Sequence, residues 1–251
     1  MVSKKLKAVS LLFCLLITLS ACLPIKKTGS PSEYNLHLTR AVGFMQKGQY
    51  LLARQELFQA IAINPRSARA HNLAGLTYFR ENNYDQAESY FSRAVKIDPN
   101  YATGYLNLAS TYAVRELYQK ARDYYEKAIE LSPDLPSAYY GLGAVYFQLG
   151  NKEKGMSCLS RALELSPDFL EKHADSVVGL PMKGSALPEM YFTLARLYAG
   201  RNDLDKTIEN LEKARRYGFK DWELIEKEPE FVSLKDNPKI QEFMKTKHDG
   251  Q

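Results

Sequence analysis

Cysteine is scarce in this 251-residue chain, with three in all, at positions 14, 22 and 158. So few, so placed, supply neither a disulfide framework nor a CxxC metal site. Tryptophan occurs once, and 14 glycines with 11 prolines are too few for a collagen-like or low-complexity chain. Charge of one sign is missing as well. Lys and Arg outnumber Asp and Glu by 34 to 29, but Lys4, Lys5 and Lys7 all precede the first acid, Glu33. From residue 22 onward the balance is 31 against 29. A body so nearly neutral argues against a nucleic-acid binder that works by neutralising phosphates. Nor is there an apolar run long enough to cross a membrane, which takes roughly 20 residues. What the composition does have, 45% hydrophobic and 25% charged residues, is that of a folded globular chain.

The first residues read as an address. Residues 1–7 are basic, and residues 8–19 are apolar apart from Ser10 and Thr18, which is the order and length of an export signal. They lead into Leu19-Ser20-Ala21-Cys22, which resembles the bacterial lipobox. That chemistry asks for small residues before the cut and a thiol after it to carry the diacylglycerol. A plain secretory signal with a chance cysteine stays open on the residues alone. The resemblance implies a signal peptide at 1–21, a covalent lipid on Cys22 and no other cofactor. Each buried methylene contributes about 0.8 kcal/mol, so stable anchoring takes more than one acyl chain. Leu23, not Asp, follows the cysteine; by resemblance to enterobacterial lipoproteins this implies the outer membrane, on the periplasmic side. Residues 22–33 then form the anchor and a tether of Pro, Gly, Ser and Lys with little to bury. Cys14 would leave with the signal, and Cys158 would be the only free thiol.

A ruler of 34 residues fits the rest, because prolines stand at 65, 99, 133 and 167. Five positions before each lies an alanine: Ala60, Ala94, Ala128 and Ala162. Three further back is a large apolar residue (Leu57, Phe91, Tyr125, Leu159), and four before that a small one (Ala53, Ala87, Ala121, Gly155). Upstream, Ala41, Gly75, Ala109 and Gly143 are each followed three residues later by an aromatic: Phe44, Tyr78, Tyr112 and Tyr146. This pattern resembles the tetratricopeptide repeat, a helix–turn–helix unit of 34 residues. The resemblance implies an all-α, right-handed superhelical solenoid with units at 34–67, 68–101, 102–135 and 136–169. A degenerate fifth unit at 188–221 follows an insertion at 170–187, with Thr207 in place of the small alanine and Phe219 in place of the proline. Residues 222–251 resemble an end-of-array motif; Trp222, Phe231, Ile240 and Phe243 there would cap the last unit, as a stacked array requires. Gly48, Asn82, Gly150 and Asn202 fall where each first helix must end in a left-handed residue, which Gly and Asn tolerate best. Glu116 breaks that rule.

A search for chemistry comes up nearly empty. HExxH, GxSxG and EF-hand patterns are absent, and the four histidines (37, 71, 173, 248) share no metal-ligand spacing. Residues 150–157 miss a phosphate loop by having Met156 where lysine is required, and Cys158 has no histidine or aspartate offered nearby in sequence. No enzyme is expected. The resemblance directs attention to the concave face, lined mainly by the first helix of each unit. Its second, fifth, ninth, twelfth and thirteenth positions give Arg69, Asn72, Leu76, Phe79 and Arg80 in the second unit. The third unit gives Leu106 and Ser110, the fourth Tyr140, Phe147 and Gln148, and the fifth Phe192 and Arg196. Such a groove suits an extended peptide or an amphipathic helix of a protein partner. It does not suit the family's carboxylate clamp, because the matching positions (Leu38, Val42, Leu73, Thr103, Asn107) lack the cations. Packing between neighbouring units is an equal reading for each of these groove residues. The layout is similar to the pilotin lipoproteins of type IV pilus secretins; an adaptor that recruits cell-wall hydrolases or proteases is the alternative, and self-association stays open.

Overall fold

The computed structural model describes residues 30–167 and 186–246, and among these there are helices and turns but no strand. Four helix pairs follow one another directly. They are α1 (Pro31–Gln46) with α2 (Tyr50–Ile63), α3 (Ala68–Arg80) with α4 (Tyr84–Ile97), α5 (Ala102–Val114) with α6 (Tyr118–Leu131), and α7 (Pro136–Gln148) with α8 (Lys152–Leu165). A fifth pair, α9 (Ala186–Ala199) with α10 (Leu204–Arg216), leads into α11 (Leu224–Lys227), a 3-10 turn at Pro229–Phe231 and α12 (Pro238–Thr246). Each A helix packs on its own B helix, and each B helix on the next A helix within the first four pairs. The first helix begins at Pro31, inside the stretch read as tether. Ser30 caps it, accepting from the Glu33 N–H at 3.2 Å, and the Glu33 carboxylate accepts from the Ser30 N–H.

The turns repeat as faithfully as the helices. Gly48, Asn82, Glu116, Gly150 and Asn202 all have φ between +56° and +77°. At each, the next N–H bonds back to the carbonyl of the aromatic four residues before the left-handed one. Gln49 bonds to Phe44, Asn83 to Tyr78, Leu117 to Tyr112, Asn151 to Tyr146 and Asp203 to Tyr198, all at 2.9–3.0 Å. The left-handed residue thus closes the A helix, satisfying carbonyls that would otherwise be orphaned. The residue after it serves the B helix. Asn83, Asn151 and Asp203 each accept from a first-turn N–H of α4, α8 and α10. Leu117 stands at that place in the third unit and offers no acceptor. The B helices end two residues before Pro65, Pro99, Pro133 and Pro167, with the pre-proline residue pushed into extended backbone (ψ of 85–98°).

Small residues set how closely helices meet. Ala53, Ala87 and Ala121 are wholly buried. A Cβ on Gly75 would sit 2.6 Å from the Phe91 ring, and one on Gly141 would overlap the ring of Tyr125 from the preceding unit. Tyr125, 1% exposed, keeps its hydroxyl satisfied by Ser110 Oγ at 3.0 Å. On the outer side, Tyr78 stacks on Tyr90 and Tyr112 on Tyr124 at centroid distances of 5.4 and 5.2 Å. A lysine lies over the same helix A tyrosine in three units: Lys120 on Tyr112, Lys154 on Tyr146 and Lys206 on Tyr198, at 5.3–5.4 Å.

The two ends of the stack are closed differently. In the fifth unit Thr207 is buried and donates to the Asp203 carbonyl at 2.6 Å, while Phe219 stacks on Phe192 at 4.3 Å. Trp222, Ile225, Phe231, Leu234, Ile240 and Phe243 join them in one cluster over α9 and α10. At the other end Arg40 is exposed where the later units bury Ala74, Leu108, Leu142 and Leu194. That substitution leaves a polar outer face on α1, as the end of a stacked array needs.

Candidate partner-binding groove

Successive A helices meet directly, α3 with α5, α5 with α7 and α7 with α9, so the array curves toward the A side. Their inner faces form the groove. Asn107 Nδ2 on α5 donates to Asn72 Oδ1 on α3 at 2.8 Å, and both side chains are buried. This bond fixes the register of two neighbouring groove helices, because breaking it would strand a buried amide. Asn107 was not among the residues expected here. It lies 35 residues after Asn72, one off the repeat period.

The structure divides the twelve groove residues read from the sequence into two sets. Arg69 is exposed, and Leu76, Arg80, Leu106, Tyr140 and Gln148 are half-buried with surface toward solvent. Leu76 and Leu106 edge the central core, and Tyr140 edges the cluster of Phe147, Leu163 and Met190. The others are buried, except Arg196, which is half-buried. Phe79 packs edge-on against Tyr84 at 5.3 Å, and Ser110 is occupied by Tyr125 and by the Leu106 carbonyl at 3.0 Å. Phe147 is 5% exposed and lies over Gly155 of its own B helix. Phe192 belongs to the C-terminal cluster, and Arg196 is held by Glu228 at 3.1 Å and Glu230 at 2.9 Å. Asn72, Phe79, Ser110, Phe147, Phe192 and Arg196 are therefore structural here. Fewer aromatic side chains face solvent there than the sequence implied, since Phe79, Phe147 and Phe192 are buried.

Its electrostatics are mild. Burial raises the Tyr101 phenol, and the Arg69 guanidinium beside it works against that rise. Burial also raises Tyr140, with Tyr191 and Tyr198 adding to it. Both stay neutral hydrogen-bonding groups at ordinary pH. Among the described residues no helix is long and apolar enough to cross a membrane, and no three His, Cys, Asp or Glu side chains cluster as metal ligands would. Burial pushes the Cys158 thiol up to about 11, with Glu126 adding to it, the reverse of what a nucleophile needs. Cys22 and most of the 170–187 insertion lie outside the described residues.

The helix pairs, their spacing and their turns define a helical-repeat protein of the tetratricopeptide kind. Family models described as tetratricopeptide repeat match residues 38–102 and 136–169, and one described as TPR repeat matches 116–150. The chain carries tetratricopeptide repeats. No protein in a search of curated sequences matches it. Among solved structures it is similar to TTC0263, a thermophilic TPR protein of Thermus thermophilus, at 22% identity and TM-score 0.53. That match covers 80% of this chain and 100% of the other. It is also similar to MamA from residue 41 to its end, from Desulfovibrio magneticus RS-1, at 17% identity and TM-score 0.52 over 74% and 95% of the two chains. These likenesses concern the fold.

Proposed function

We propose that this chain is a membrane-anchored scaffold at a bacterial envelope that holds a peptide or helix of a protein partner in its groove. It has no reaction of its own. The observation that carries this reading is the inner A-helix face, where Leu76, Leu106 and Tyr140 keep surface toward solvent beside Arg69. Half-exposed apolar side chains lined up across successive helices are what a partner covers. The anchor rests on the lipobox-like residues ending at Cys22, and the outer-membrane location on Leu23 after it. Within this reading a pilotin-like assembly factor for an outer-membrane secretin is the first version. An adaptor for cell-wall hydrolases or proteases is the second.

A photo-crosslinking residue at Leu106, in the full-length chain in its own cells, tests the groove. Leu106 is chosen because it keeps surface toward solvent, whereas Phe147 is buried. Capture of one discrete envelope protein supports the reading, and its identity as a secretin or a cell-wall enzyme chooses between the versions. Capture of nothing at Leu106 and at Leu76 refutes it. Changing Cys22 to Ala should abolish pore assembly in the first version and alter cell shape or lysis in the second.

A further inference from the structure

The outward face of α2 differs from that of every other B helix. Leu51, Leu52, Gln55, Phe58, Gln59 and Ala62 are all exposed there, with Leu51 62%, Leu52 40% and Phe58 41% accessible. None is charged. At the same register the third unit has Gln119, Lys120, Asp123, Glu126, Lys127 and Glu130. The second unit has three charges at these positions, the fourth has four and the fifth has six. Solvated B-helix faces in this chain are thus densely charged, and only the first unit departs. Helix propensity does not explain the departure, since Lys and Glu form helices as well as Leu does.

We infer that this face of α2 lies against the lipid surface to which the chain is anchored. The inference rests on the Cys22 anchor of the proposed function. Seven residues separate Cys22 from Ser30, and so short a tether reaches at most about 28 Å. The first unit is therefore held at the bilayer, and α2 itself is only about 21 Å long. Charge agrees with position. Between residues 30 and 67 four basic residues (Arg40, Lys47, Arg54, Arg66) face two acids (Glu33, Glu56), and the tether adds Lys26 and Lys27. The second, third and fourth units carry no positive excess. An apolar, uncharged face within a basic unit is the pattern of an interfacial helix that sinks its side chains among headgroups. Docked so, the first unit would set the angle at which the groove stands off the membrane.

The test uses the full-length chain purified from membranes and reconstituted into vesicles of phosphatidylethanolamine and phosphatidylglycerol. Cys158 is replaced by Ser, and an environment-sensitive fluorophore is attached to a cysteine at position 51 (Leu51→Cys) or 119 (Gln119→Cys). Both sites are exposed, so neither label disturbs the core. The label at 51 should brighten several-fold on vesicles and be quenched by brominated lipid, while that at 119 stays as in detergent. Equal behaviour at the two sites, with Cys22 acylated by mass, overturns the inference and leaves the anchor standing. An unmodified Cys22 overturns the anchor and the inference together. A change at 51 that follows protein concentration without vesicles assigns the face to a second copy of the chain and overturns the lipid assignment.

Discussion

Glu116 is the one residue other than Gly or Asn that closes an A helix, and it does so with φ at +61°. The left-handed conformation costs an L residue about 1–2 kcal/mol, because Cβ crowds the following carbonyl oxygen. Glycine avoids that crowding but loses about 0.5–1 kcal/mol more to chain entropy on folding. The difference predicts that Glu116→Gly stabilises the chain by about 0.5–1 kcal/mol. For a chain of this size that is about 1–4 °C in Tm, read from a far-ultraviolet circular dichroism melt. A second effect runs the same way, since a carboxylate at a helix C-terminus opposes the helix dipole. Glu116→Ala separates the two, for it removes the charge and keeps Cβ in the strained conformation. Glu116→Gly should exceed Glu116→Ala, and Glu116→Asn should fall between them. Equal melting of the Gly and Ala variants would refute the strain argument and leave only the charge.

The remaining predictions concern the same stack. Leu117→Asn should supply the missing cap of α6 and add about 1 kcal/mol, measured by the same melt; no change would mean that α6 is capped in another way. Gly141→Ala should destabilise by about 1–3 kcal/mol by overpacking against Tyr125. Tyr125→Phe keeps Cζ and Cε1, the atoms such a Cβ would meet first, so it should relieve little of that loss; full relief in the double variant would show that the hydroxyl alone makes the clash. Cys158, with its thiol pushed up to about 11 by burial, should carry about 100-fold less thiolate at neutral pH than an ordinary cysteine. Alkylation in the native chain should slow to match, with full reactivity returning in denaturant; a native rate equal to the denatured one would overturn the burial.

The period was legible because every unit must solve one packing problem with the same residue sizes. Ala53, Ala87 and Ala121 are buried for the reason that made them recognisable. The left-handed turn residues were legible too, down to the misfit at Glu116. The groove was read less well, and the causes are local. Phe147 turns inward at a position where the second, third and fifth units also bury Phe79, Ala113 and Ala199, and its ring lies against Gly155. Arg196 is spent on Glu228 and Glu230 of the C-terminal turn, a pairing that no repeat period announces. Phe192 was claimed by the same cap through Phe219, the residue that replaced the proline. A unit's deviation from its pattern thus carried the information that the pattern itself did not.

The solvent-facing residues that remain set a spacing for the partner. Leu76, Leu106 and Tyr140 lie on α3, α5 and α7, one to each A helix. Helices in direct contact have axes about 8–10 Å apart. An extended peptide in the polyproline conformation advances about 3.1 Å per residue with about three residues per turn, so side chains three apart share a face and fall on successive A helices. A bound helix advances about 1.5 Å per residue and would need apolar residues about seven apart on one face. A segment with apolar residues alternating by two would place half of them between the helices. Binding of synthetic peptides made from the crosslinked partner, with apolar positions moved from three apart to two, should fall by about tenfold for each misplaced side chain, near 1.4 kcal/mol. Leu106→Ala should weaken the three-spaced peptide and leave the two-spaced one unchanged. Equal affinity for both spacings would show that the A-helix ladder does not read the partner, whatever else in the chain binds it.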